Sequence, residues 1–157
     1  MTRRWAALLA LATVAAATVS CGGGTTSQPL PSGKLYDGAT YSLIVPAAAT
    51  WQASSKGRQD IWVSSLGAFA LSVLGDTPSL DSTANDALSV LKDAGNTNTA
   101  KQSVTLPSGQ AIAVSGGTDK NRTIMYLIAK GGVGFNLMCK GLSDDLCAGI
   151  AQSVTLK

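Results

Sequence analysis

The stretch Thr123-Ile124-Met125-Tyr126-Leu127-Ile128-Ala129 decides the fold. It is apolar at nearly every position, too short for a typical helix and bounded by turn residues, so it reads as a strand. A strand that is apolar on both faces lies centrally in a sheet with cover on each side. The flanking segments can be placed around it.

Downstream, Lys130-Gly131-Gly132 turns the chain back into Val133-Gly134-Phe135-Asn136-Leu137-Met138-Cys139, where Val133, Phe135, Leu137 and Cys139 share a face. A helix is expected from about Asp144 to Val154, capped by Ser143, with two aspartates in its first turn at the positive end of the dipole. Upstream, Lys101 to Leu106 and Gln110 to Ser115 read as strands joined by Pro107-Ser108-Gly109. Before them the period changes. Leu80, Ala84, Ala87, Leu88, Leu91 and Ala94 fall on one side of a helix, capped by Ser79 or Asp81 and ended by Gly95. Earlier still, Asp60–Ser65 and Ala68–Leu74 form a hairpin across Leu66-Gly67, and Tyr41–Val45 forms a strand that stops at Pro46. Strands grouped in runs, with helices between the runs, predict an α+β fold: an antiparallel sheet of about six to seven strands with helices packed on its faces.

The chain has 157 residues, 45% of them apolar and 13% charged, which is enough to bury a core. It contains no histidine, and all nine acidic residues are aspartates. Without imidazole there is no His-based triad and no His-ligated metal, so no catalytic residue, metal or cofactor is assigned. The formal charge of +3 includes Arg3 and Arg4. If these leave with a leader, the charge falls to about +1 and no basic footprint for nucleic acid remains.

Residues 1–20 read as such a leader: Arg3 and Arg4, an apolar stretch from Trp5 to Ala17, then Thr18-Val19-Ser20. As a helix this stretch would span roughly 20 Å, short of the ~30 Å hydrocarbon core, so it is a signal core. The pair Arg3-Arg4 is followed by the weakly apolar Ala6-Ala7, which favours the general secretion route over the twin-arginine one. The end of the leader, Val19-Ser20-Cys21-Gly22, resembles the lipobox of bacterial lipoproteins. The resemblance implies that Cys21 is alkylated by a diacylglyceryl group and becomes the first residue after cleavage; Thr18 departs from the usual leucine. Gly22 to Gly33, glycine-rich and punctuated by Pro29 and Pro31, suits a flexible tether. The expected organisation is therefore signal peptide 1–20, lipidated N-terminus and tether 21–36, and one domain 37–157. With Cys21 committed to lipid, Cys139 and Cys147 remain in an oxidising compartment and are expected to pair. Cys139 continues the apolar face of its strand, and Cys147 lies on that of the last helix.

Asp37-Gly38-Ala39-Thr40-Tyr41-Ser42-Leu43-Ile44-Val45-Pro46 with Trp51, the long helix after the third strand, and the ending Ala151-Gln152-Ser153-Val154-Thr155-Leu156 together resemble the PsbP-like fold. Within it they are similar to small actinobacterial lipoproteins of LpqN type. The resemblance implies a sandwich with helices on both sheet faces and a role in binding or assembly, with no catalytic residues to carry over.

Other motif-like strings carry less. Ser89-Val90-Leu91-Lys92 matches S-x-x-K but lies with Ser89 and Lys92 on a polar helix face and lacks its companion motifs. Gly131-Gly132-Val133-Gly134 opens a strand, not a helix, and is no phosphate loop. Asn121-Arg122-Thr123 fits a glycosylation acceptor, a route foreign to a lipobox protein. Asp144-Asp145 has no third ligand in view for a metal.

Two function classes stay open: a non-catalytic module that binds another envelope protein, or a carrier of a small apolar ligand or lipid held between sheet and helix. The expected place is the extracytoplasmic face of the cell membrane, or an outer membrane in a host that has one. Trp51 and Trp62 are candidate partner contacts, with core packing as the alternative for each.

Overall fold

A computed structural model describes residues 29–76 and 79–157, with Asp119 by its backbone alone. The strand read first as central is central. It is β8 (Thr123–Lys130), paired to β7 (Gly109–Gly116) on one side and β9 (Val133–Lys140) on the other. Outward from β7 comes β6 (Ala100–Leu106); outward from β9 come β5 (Gly67–Asp76), β4 (Gln59–Ser64) and β3 (Gln52–Lys56). The result is an antiparallel sheet of seven strands in the order β3-β4-β5-β9-β8-β7-β6. A second sheet of three strands, β1 (Gly33–Asp37), β2 (Tyr41–Pro46) and β10 (Thr155–Leu156), has β2 at its centre. The fold is α+β, as expected.

The alternation in β8 explains the layering. Ile124, Tyr126 and Ile128 enter a core shared with Leu43 and Leu156 of the small sheet and with Ile150 and Val154 at the end of helix α2 (Asp144–Ser153). Met125 and Leu127 point the other way, into a smaller core with Ala84 and Leu91 of helix α1 (Leu80–Asp93). Burying both faces of one strand fixes its register, because a slip of one residue would exchange the two sets.

Both helices start where the sequence placed the caps. Ser79 Oγ accepts from Ser82 N at 3.3 Å and Ser143 Oγ accepts from Leu146 N at 3.3 Å, each satisfying one free amide of a first turn. Past α1, Gly95 takes φ 78°, and the Gly95 and Asn96 amides donate to Lys92 O and Leu91 O. That is a Schellman end, and it needs the left-handed region that glycine enters without steric cost.

Three strands lay outside the sequence reading: β1, β3 and β10. The first moves the expected domain boundary from residue 37 to Gly33, since the last residues assigned to the tether pair with β2 (Gly33↔Pro46, Leu35↔Ile44). Contact begins earlier still. Ser32 O accepts from Ala47 N at 2.8 Å. Pro31 lies so near Gly149 of α2 that a Cβ placed there would stand 3.3 Å from Pro31 Cδ. The leader, Cys21 and the tether up to residue 28 lie outside the described residues.

Candidate functional site

The two sheets meet at their β1–β2 and β3–β4 ends, and that junction is lined by aromatic rings. Trp62 of β4 pairs across the strands with Phe69 of β5 and stacks on it, with centroids 4.7 Å apart and planes 13° apart. Trp51 meets Phe69 edge-on at 4.9 Å, and Tyr36 meets Trp62 edge-on at 5.0 Å. Offset and edge-on contacts of this kind stabilise beyond the area they bury.

A polar clasp crosses the same junction. Tyr36 of β1 donates its hydroxyl to Asp60 Oδ2 of β4 at 2.9 Å, and Tyr41 of β2 donates to the same oxygen. Burial alone would raise the Asp60 pKa. Hydrogen bonds from Ser55, opposite it on β3, and from the two tyrosines outweigh that, so the carboxyl titrates below the usual range. Burial, followed by the Asp60 interaction, pushes both phenols above their ordinary value. Asp60 has no ion pair among the described residues, so neutral donors alone hold the charge, and the two tyrosines among them link the sheets. This clasp escaped the sequence reading. The one available signal was a charged residue, Asp60, at the same strand parity as Trp62.

Beside the clasp lies a cleft of about 260 Å³ lined by Lys34, Leu35, Tyr36, Val45, Trp51, Ala53 and Trp62. The two tryptophans proposed as contacts part company here. Trp62 is only 3% exposed and belongs to the core, reaching the cleft as its floor. Trp51 is half-buried, and its indole N–H already donates to Pro46 O at 2.7 Å. Leu35, on the outer edge strand, is 63% exposed.

Cys139 and Cys147 form a disulfide, with Cα atoms 6.0 Å apart, that ties β9 to α2. Both residues lie in the large core, as their faces predicted. Asp144 is engaged by Arg122 through two parallel bonds of 3.0 and 2.8 Å, which accounts for that carboxylate as half of a forked ion pair. Among the described residues no group of three acidic, cysteine or histidine side chains is placed to hold a metal. Ser89 and Lys92 are exposed on α1. A shallow groove of about 220 Å³ between α2 and β6–β8 is lined by Ala113, Ile124, Tyr126 and Ala148, with Arg122 and Asp144 at its polar end. No described helix is long and apolar enough to cross a membrane.

No family model matches the chain, and no curated protein sequence matches it. It is similar in structure to the solution structure of cyanobacterial PsbP (CyanoP) from Synechocystis sp. PCC 6803, with a TM-score of 0.59 at 9% identity, covering 86% of this chain and 98% of that one. A crystal structure from Bacteroides thetaiotaomicron VPI-5482 is similar at a TM-score of 0.45 and 14% identity, covering 80% of this chain and 48% of that one. At 9% identity the first likeness is one of fold, and the sandwich of a seven-stranded and a three-stranded sheet with two helices is PsbP-like.

Proposed function

We propose that the protein is a lipoprotein of the bacterial cell envelope, of the LpqN-like kind. A diacylglyceryl group on Cys21 holds it on the extracytoplasmic face of the membrane, and its domain is a non-catalytic module that binds another envelope protein. The observation that carries this reading is a count. The Cys139–Cys147 disulfide uses two of the three cysteines, and the third stands in a lipobox-like string ahead of a tether. A disulfide suits an exported, oxidising setting. Two acyl chains give durable attachment at about 0.8 kcal/mol per buried methylene. The PsbP-like fold is compatible with a binding or assembly role.

The test is Cys21→Ser. The variant should leave the membrane fraction and lose metabolic labelling by fatty acid. A variant that stays membrane-bound, with an unlabelled parent, would overturn the anchor. Native mass spectrometry of the protein released from its own membranes then separates the two binding classes: a protein adduct supports the module, whereas a co-purified lipid supports the carrier reading.

A further inference from the structure

The cleft described above lies on the strand by which the tether enters the domain, and it combines features that suit a lipid surface. Its lining is mainly apolar, and the single charge, Lys34, is positive. Leu35 projects into solvent at 63% exposure, and Leu30, five residues upstream, is 57% exposed. Trp51 lines the same cleft half-buried, with its only polar atom already satisfied by Pro46 O. Its ring can therefore enter a medium of low polarity without stranding a donor.

Covalent geometry limits where this surface can go. Between Cys21 and Pro29 the chain has eight Cα-to-Cα steps, a reach of at most about 29 Å. A domain of this size is about 36 Å across. From Pro31 onward the chain is held to the domain by Gly149 and by the Ser32–Ala47 hydrogen bond. An anchor at Cys21 thus keeps Pro29, four residues ahead of β1, closer to the bilayer than the width of the domain, and the local concentration of lipid near the face where the chain enters is high.

From this placement we infer that the Leu35–Trp51 cleft is a second membrane contact. The domain seats this face on the bilayer, with Leu35 and the Trp51 ring at the headgroup boundary and Lys34 toward anionic headgroups. The inference rests on the proposed Cys21 anchor. It assigns Trp51 to lipid instead of to a protein partner.

Tryptophan fluorescence reads it directly, because Trp5 leaves with the expected leader and Trp62 is buried. The acylated mature protein is reconstituted into phosphatidylcholine–phosphatidylglycerol vesicles, made with or without brominated acyl chains. Trp51 emission should shift to shorter wavelength on reconstitution and lose intensity with the brominated lipid. Leu35→Asp and Trp51→Phe should each remove that loss while the protein still floats with the vesicles. Flotation with emission indifferent to bromination would overturn the contact while leaving the anchor standing, and would return the cleft to a protein or peptide. Failure to float, with no acyl label, would overturn the anchor and the seating together.

Discussion

The two faces of the seven-stranded sheet are closed by different means. One meets a second sheet and α2 across a layer of aromatic rings, crossed by the Tyr36–Asp60–Tyr41 clasp and tied at its end by a disulfide. The other meets α1 alone, over β6–β8, through Ala84, Leu91, Val114, Met125 and Leu127. Its remaining half carries Val63, which is 47% exposed and shares the face of Ile61, Ala70 and Met138. A face closed by one amphipathic helix needs only a stripe and two good ends. A face closed by distant strands needs several independent ties, and stability should be concentrated there.

The largest effect expected from that contrast is at Phe69, 1% exposed and packed between Trp62 and Trp51. Phe69→Ala should cost about 3–5 kcal/mol in urea unfolding of the domain with its disulfide formed. A loss below 1 kcal/mol would mean that the aromatic layer is dispensable. Next is the disulfide on the same side. Replacing Cys139 and Cys147 together by Ala opens a loop with a sequence separation of 8 residues. It should cost about 2.5 kcal/mol on the chain-entropy model, and an unchanged unfolding midpoint would break the claim that this face is the tied one.

On the α1 face, Ser79→Ala removes one cap bond and should cost about 1 kcal/mol. A larger loss there than at the disulfide would invert the comparison. The smallest effect is the acid response of the clasp. The folded Asp60 pKa is lowered, so the bond's contribution is fully present above the unfolded value of about 3.9 and is lost as pH falls through the folded value. The unfolding midpoint of the parent should therefore decline more between about pH 5 and pH 2 than that of Asp60→Asn, whose amide oxygen still accepts both phenols. Parallel curves would remove the charge from the account.

What the sequence made legible follows the same division. The two-faced β8, both helices and their caps, and the hairpins are local patterns, and each is present. The Cys139–Cys147 pair followed from counting and from the faces of its two elements. β1 and β3 were illegible because they are edge strands with no buried stripe. Gln52–Lys56 is exposed at every position, so no alternation announces it. Gly33–Asp37 reads as tether until β2 is available to pair with it. Sequence alone does not separate Trp62 from Trp51, because burial of Trp62 depends on the register with Phe69 and on a ring from β1. The clasp joins residues 19 and 24 positions apart, a spacing that belongs to no periodic element.

The position of β2 joins the shortest and the longest loop closures of the small sheet. It pairs with β1, just before it in the chain, and with β10, where Ser42 meets Thr155 over a hundred residues away. Lys157, just past β10, hydrogen-bonds Thr40 through its amide and pairs with Asp37 at 2.6 Å. Closing so long a loop is slow, because its entropy is lost before the contacts it brings together can compensate. Tyr41, Leu43 and Val45 therefore lack their full cover until Thr155 and Leu156 have docked on β2. The small sheet is complete only when residues 41–42 and 155–156 have met.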